Sequence, residues 1–373
     1  VKKFRIGIDA VGAKHSGAMT ILCAVVKAAL RNPRIAKVYV FTSPRHMRDF
    51  SLECSGRCEE IQVLEAERGA FSRFLWHLRG LPAQASELDL DGLICLSGGG
   101  SGTAANNSIL FIQQALPFSS EALATLDFMN RVRTVGIRID MWLSSRRSRL
   151  VVVQSRTMKH WVCERLGLRR DKVVVVEPDA FLPSSPQAPP VELEEMRAAP
   201  LGRVLLYVGS AASYKNLAVL EPAMKLLREV VPDAVLFGTF PSPGVCSIER
   251  GIFGLPQLSQ SVLREAYRLA TVVVMPSLVE TVGLPLLEAT LEGAVVVAAD
   301  RPYAHDICGD TAVYFDPHDA HELANSIASV LQDDSRRKAL VERATVRLAA
   351  RTAARPYDRM INLLFETTYA GHL

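Results

Sequence analysis

Short apolar runs rich in Val and Ile alternate along this chain with stretches in which apolar residues recur at helical spacing. "RIGIDA" is followed by "AMTILCAVVKAAL", "KVYVFT", "EEIQVLEA", "FSRFLWHL", "GLICLSG", "SILFIQQA" and "LVVVQS". A second series starts at "RVLLYVG" and runs through "LAVLEPAMKLLREV", "DAVLFG", "ERGIFG", "SVLREAYRLA", "TVVVMPS", "LPLLEATLEG", "AVVVAAD", "TAVYFDP" and "HELANSIASVLQD". Such alternation predicts an α/β protein with doubly wound parallel sheets. Between the two series, "DAFLPSSPQAPPVELEEMRAAP" carries too much proline for a helix or central strand before "VELEEM". The pattern predicts two Rossmann-like domains facing across a cleft, residues 1–180 and 201–350, joined by a proline-rich linker at 181–200. Apolar Met360, Leu363, Leu364 and Tyr369 predict a closing amphipathic helix within residues 351–373, packed back on the first domain.

Length agrees with two cores, because 373 residues exceed what one domain of about 100–200 residues organises. With 49% hydrophobic and 22% charged residues the composition is that of a soluble globular protein. The longest apolar runs fall far short of the roughly 20 residues a membrane span needs, so neither a span nor a signal peptide is expected. Seven scattered cysteines argue for reduced thiols in the cytoplasm. Cys54 and Cys58 are neighbours without two further ligands nearby, and Asp89 and Asp91 read as a solvated strand entrance; no metal is expected.

Charge is uneven. Residues 1–180 hold 26 Lys and Arg against 17 Asp and Glu, whereas residues 181–373 hold 17 against 22. Much of the surplus lies between Arg131 and Lys172, where "RTMKHWVCERLGLRRDK" interleaves Met158 and Trp161 with cations. A solvated basic face explains this; contact with an anionic membrane surface is the sharper reading. No nucleic-acid motif accompanies the charge.

In open parallel sheets ligands bind outside the carboxyl ends of the strands, which puts function on the loops that follow them. In "GSAASYKN", Gly209 ends a strand and Lys215 opens the next helix, where free N–H groups favour a phosphate. In "SLVETVGLPLLEATLEG", Gly283 permits close backbone approach and Pro285 suits the first helical turn, so the amides near Gly283 and Leu284 form a second anion site. Two such sites imply a diphosphate. Glu280 ahead of this helix and Glu288 one turn inside it are suited to sugar hydroxyls, since a carboxylate accepts two hydrogen bonds. Singly, Glu280 reads as helix-dipole complementation and Glu288 as an exposed helix residue; with Lys215 they read as one site.

These residues carry a resemblance. From about Arg203 to Pro317 the chain resembles the nucleotide-binding domain of retaining glycosyltransferases of family 4 (group 1), through Glu280, seven residues and Glu288, preceded by "PS" and enclosing "GLP". The first half is similar more weakly, through "QQALPF" and "VVVQSRTMKHW". The resemblance implies a B-type fold of two Rossmann domains (GT-B), a nucleotide-diphosphate sugar donor, no metal or other cofactor, and transfer with retained configuration. It implies catalytic roles for Glu280 and Lys215. Gly209, Ser210, Lys215, Asn216, Gly254, Leu258, Glu280, Thr281, Val282, Gly283, Leu284 and Glu288 would bind the donor. His15, Ser16, Gly17, Gly99, Gln113 and Gln114 would meet the acceptor. Ser210 stands where the family often has arginine, Val282 replaces the usual aromatic, and the family's first-domain histidine has no clear counterpart.

The expectation is a cytoplasmic glycosyltransferase, peripheral on the inner face of a membrane, building a surface polysaccharide or another glycan on a lipid-linked acceptor. The alternative is a non-catalytic nucleotide-sugar-binding subunit of a glycan-assembly complex. A dehydrogenase is disfavoured because no G-x-G-x-x-G joins a strand to a helix with an acid about 20 residues on.

Overall fold

The Val- and Ile-rich runs form two sheets in which every pairing is parallel. The computed structural model describes residues 3–13, 16–43, 56–65, 69–96, 98–100, 107–180, 182, 186, 188, 190–240 and 251–366. The first sheet contains β1 (Phe4–Asp9), β2 (Ile35–Thr42), β3 (Cys58–Gln62), β4 (Gly92–Cys95), β5 (Ser108–Phe111), β6 (Leu150–Val153) and β7 (Val173–Val175), in the order β3-β2-β1-β4-β5-β6-β7. The second contains β8 (Val204–Tyr207), β9 (Val235–Gly238), β10 (Ile252–Gly254), β11 (Val272–Met275), β12 (Val295–Ala299) and β13 (Val313–Phe315), in the order β10-β9-β8-β11-β12-β13. Strands β4, β5, β6, β8, β11 and β12 are buried along their whole length. Helices covering both faces demand that, which is why these strands read as unbroken apolar runs rather than alternating ones.

The chain divides into two compact units. The first comprises residues 1–118, 128–178 and 355–373; the second comprises 119–127 and 179–354. In the first, the helix Pro356–Leu363 buries Tyr357, Met360, Ile361 and Leu363 in the core that also holds the inner face of the helix Ser16–Arg31. Arg31 bonds Asp358 at 2.7 Å and Asn32 bonds Asn362 at 2.9 Å, fixing the register of this late arrival. Met158 is fully buried in the helix Arg156–Leu166, so the basic stretch around it turns its methionine to the core and not outward.

In the second unit, two clusters of buried side chains fill the two faces of the sheet, one around Phe237, Tyr267 and Tyr303, the other around Tyr207, Phe240 and Phe315. The short helix Ser120–Ala124 belongs here although its sequence lies in the first half. Ser119 caps it by accepting from the Ala122 amide. Glu121 then binds Arg301 at 2.6 Å and His318 at 2.9 Å.

Candidate functional site

The second sheet reverses its winding between β8 and β11, and the crevice at such a switch point is where open α/β sheets bind ligands. Lys215 follows β8 and Glu280 follows β11, so the two residues singled out by sequence come from the two loops that flank this point. They meet there as an ion pair, Lys215 Nζ to Glu280 Oε1 at 2.5 Å, each side chain keeping 14% of its surface exposed.

Local chemistry fixes both loops. After β8 the Tyr207 hydroxyl donates to the Ser210 carbonyl at 2.8 Å, and the Gly209 amide donates to Thr239 Oγ1 at 2.9 Å. A short 3-10 turn, Ser213–Lys215, follows and is ended by Asn216 in the left-handed region at φ 56°. Asparagine tolerates that conformation, and its side-chain amide donates to the Pro317 carbonyl at 2.7 Å. The Leu278 amide donates to the Tyr214 carbonyl at 2.9 Å, tying one loop to the other. From below, the Tyr303 hydroxyl donates to the Ser277 carbonyl at 2.9 Å. Burial pulls the Lys215 ammonium toward neutrality, but the charge and hydrogen bond of Glu280 outweigh it and hold its pKa above the ordinary value.

Gly283, at φ 75°, caps the helix Leu284–Leu291, with Pro285 in its first turn. A β-carbon at Gly283 would lie 3.2 Å from the Leu286 side chain in a conformation L-residues rarely adopt, so the backbone there favours glycine. In the first turn Pro285 has no N–H and the Leu286 amide donates to the Gly283 carbonyl at 2.9 Å, which leaves the amides of Gly283 and Leu284 as the candidate donors at this helix end. Val282 is 1% exposed and packs in the core, so only its main chain faces the loop.

Glu288 differs from the exposed residue that helical position suggests. It is 6% exposed and accepts a 2.7 Å hydrogen bond from the Tyr267 hydroxyl, itself fully buried on the helix Gln260–Leu269. Burial pushes the Glu288 carboxyl up to about 7, against the opposing effect of the Tyr267 bond. Sequence reading missed Tyr267, 21 residues upstream; its only signal was an aromatic in "SVLREAYRLA". Gly254 is exposed at the end of β10, Leu258 is half-buried beyond it, and Ser210 is exposed while Thr281 is half-buried. Sequence also missed the neighbour of the Lys215 turn: the helix Ser120–Ala124 packs on it, and Thr125 Oγ1 lies 2.9 Å from Ser213 Oγ.

The first sheet has its own switch point, between β1 and β4. His15 lies outside the described residues, as does the side chain of Ser16; Gly17 is in the helix Ser16–Arg31. The Gln113 side-chain amide donates to the Leu96 carbonyl at 3.2 Å, and Gln114 is exposed. Gly99 is buried, and a β-carbon there would strike Asp140 Oδ2 at 2.2 Å.

What Gly99 packs against is a cluster that sequence reading did not find. Asp9, fully buried at the end of β1, takes a 3.3 Å bond from the Trp76 indole and lies 3.2 Å from His77 Nε2. His77 Nδ1 has no hydrogen-bond partner among the described residues and faces Asp140 Oδ2 at 4.0 Å. A five-residue π-helical turn, Trp76–Gly80, delivers this histidine, a distortion frequent at functional sites. Burial lowers the His77 pKa, but the bond and charge of Asp9 and the charge of Asp140 together raise it above 6.5 against that and against Arg73. The folded state thus holds the imidazolium proton more tightly: the resulting stability is complete below the unfolded value and disappears as pH rises through the folded one. Histidine-ring NMR is expected to show a His77 midpoint above 6.5, falling in Asp140→Asn; an unchanged midpoint would exclude that coupling.

Residues 202–333 match the family model described as Glycosyl transferases group 1. D-inositol 3-phosphate glycosyltransferase of Corynebacterium glutamicum (strain R) is 28% identical over 189 residues, 45% of each chain, so this chain matches less than half of that relative. Among solved structures, sucrose-phosphate synthase from Thermosynechococcus elongatus superimposes with a TM-score of 0.75 at 17% identity, covering 98% of this chain and 100% of that one. HepE of Anabaena, solved with UDP and glucose, gives a TM-score of 0.69 at 16% identity, covering 98% and 100%. The chain has the two-Rossmann GT-B fold, and its residues 202–333 are similar to the group 1 glycosyltransferase domain.

Proposed function

We propose that this chain is a retaining, metal-independent hexosyltransferase that moves a sugar from a nucleotide-diphosphate sugar to an acceptor hydroxyl, in the building of a bacterial surface polysaccharide or another glycan. The observation that carries the reading is the Lys215–Glu280 pair at the switch point, ahead of the glycine-capped helix that also carries Glu288. Breaking the anomeric bond leaves positive charge on the sugar and negative charge on the departing phosphate. Lys215 and the free amides at Gly283 and Leu284 stabilise the phosphate where that charge forms. Glu280, held by Lys215, is placed to take donor-sugar hydroxyls, and Glu288 those of the ribose. The acceptor oxygen bonds to the anomeric carbon on the face the phosphate leaves, and its proton passes to a phosphate oxygen. HepE, solved with UDP and glucose, supports a nucleotide-sugar donor.

A thermal-shift panel of nucleoside diphosphates and their sugars, with and without magnesium, tests the donor. Binding at a hundred times Kd stabilises the fold by about 2.7 kcal/mol, so one base is expected to raise Tm, equally with and without the metal. Indifference to every nucleotide would end the reading. Ser210, where the family often has arginine, favours the rival of a binding subunit without turnover. Donor hydrolysis by the purified chain separates the two. The same proposal puts the chain in the cytoplasm, against the inner face of a membrane that carries the acceptor.

A further inference from the structure

The longest basic helix of the first unit wears its apolar residues on the outside. In Phe128–Arg147 the side chains of Phe128, Met129, Val132, Val135, Ile139 and Trp142 are 76%, 73%, 52%, 41%, 55% and 40% exposed. All but Met129 fall within an arc of about 80° at 3.6 residues per turn, a stripe about 21 Å long. The buried face holds Thr134, Ser144 and Ser145 with Met141. Its hydroxyls are satisfied there: Thr134 donates to the Asn130 carbonyl at 2.7 Å, Ser145 donates to the Trp142 carbonyl at 2.9 Å, and Ser144 accepts from the Gly100 amide at 3.0 Å. The outward stripe is therefore not a packing error that reversing the helix would correct.

Charge says what the stripe faces. The helix carries five arginines, at 131, 133, 138, 146 and 147, against one carboxylate, Asp140. Asp140 is turned toward His77, away from the stripe. Arg131 and Arg138 border one edge, and the Arg146 guanidinium lies 3.8 Å from the Trp142 ring centroid, an aromatic and cation combination suited to a headgroup layer. Beside this helix, the turn that carries His77 exposes Leu78, and the helix Ala70–Leu75 that leads into it exposes Phe74 and Leu75. Among the described residues no helix is long and apolar enough to cross a membrane; a helix with a basic border and one apolar stripe has the pattern of those that lie in the plane of a bilayer surface.

We propose that the helix Phe128–Arg147 docks the chain on an anionic bilayer, its apolar stripe entering the acyl boundary and its arginines binding lipid phosphates. This deepens the proposed function by naming the element that brings a membrane-borne acceptor to the first unit, and its membrane part rests on that reading. Vesicle binding is measured without turnover, however. Binding without sugar transfer would therefore sink the enzymatic reading alone, and transfer to a soluble acceptor without binding would sink this one alone.

The test is cosedimentation of the full chain with phosphatidylcholine vesicles containing about a third phosphatidylglycerol, with Trp fluorescence as a second readout. Binding is expected to be at least about tenfold stronger than to phosphatidylcholine alone, and to weaken as salt rises from about 0.1 M to about 0.5 M. Val132→Asp with Ile139→Asp is expected to lower vesicle affinity by at least about tenfold, with Tm unchanged because both side chains are exposed, and Arg131→Gln with Arg138→Gln to lower affinity by a similar factor. No binding to anionic vesicles at low salt, or binding indifferent to both double variants, overturns the proposal. So does a concentration-dependent dimer in sedimentation velocity that Val132→Asp with Ile139→Asp abolishes, which would give the stripe to a second copy of the chain.

Discussion

Lys215→Met is expected to cut sugar transfer by about two to three orders of magnitude while leaving the chain folded. The ammonium has three N–H groups and Glu280 engages one of them, so two remain for a phosphate that gains charge as the anomeric bond breaks. Methionine keeps the apolar stem and removes only those donors and the charge. The same change strands Glu280, whose side chain is 14% exposed. Removing one partner of a fully buried pair costs about 3–5 kcal/mol, and the remaining exposure brings the expected loss to about 2 kcal/mol. Lys215→Met combined with Glu280→Gln is expected to recover most of that stability and none of the transfer. Denaturation midpoints together with single-turnover rates check both halves. Wild-type transfer in Lys215→Met would remove the leaving-group role; stability that the second substitution fails to restore would show that the pair is not what holds these loops.

The two sheets were legible because strands covered on both faces must be apolar throughout, as in "TVVVM" and "AVVVAA". Lys215, Gly283 and Glu280 were legible for a related reason: each sits where a strand gives way to a turn, and Gly-Leu-Pro opens a helix by local rules alone. That Lys215 and Glu280, read as parts of one site, form a direct ion pair was not, since 65 residues separate them and only the order β8-β11 makes their loops neighbours. His77 was hidden inside "FSRFLWHL", whose periodicity reads as an ordinary amphipathic helix; a π-helical turn changes which side chains share a face, and sequence period does not reveal it. The helix Phe128–Arg147 was read only as charge. Its apolar stripe is diluted by arginines, and patterning assumes that such a stripe faces the core. Residues 119–127 show a further limit: Ser119 and Glu121 signal a helix start, but nothing local says that the helix joins the second unit.

The residue whose sequence reading departs furthest from its environment is Glu288, and Glu288→Gln is expected to stabilise the chain above pH 7 by about 3 kcal/mol. The folded value of about 7 lies above the ordinary 4.5, so the folded state holds this proton more tightly than the unfolded state does. Below 4.5 the residue is protonated in both states and costs nothing. As pH rises toward 7 the unfolded chain ionises first and stability falls; beyond that the burden of a buried carboxylate is constant. The glutamine carbonyl can accept the same 2.7 Å bond from Tyr267 without carrying charge. A residue that weakens the fold at neutral pH needs a reason to be there, and the proposed ribose contact would supply one, because a carboxylate accepts from two hydroxyls together and an amide oxygen holds them less well. Glu288→Gln is therefore expected to weaken nucleotide binding by about tenfold while raising stability. Denaturant titrations at about pH 5 and about pH 8, paired with calorimetric nucleotide binding at the higher value, separate the possibilities. A variant no more stable than wild type in alkali would show that burial does not burden this carboxylate. One that gained stability and bound nucleotide as before would leave Glu288 a structural partner of Tyr267 and nothing more.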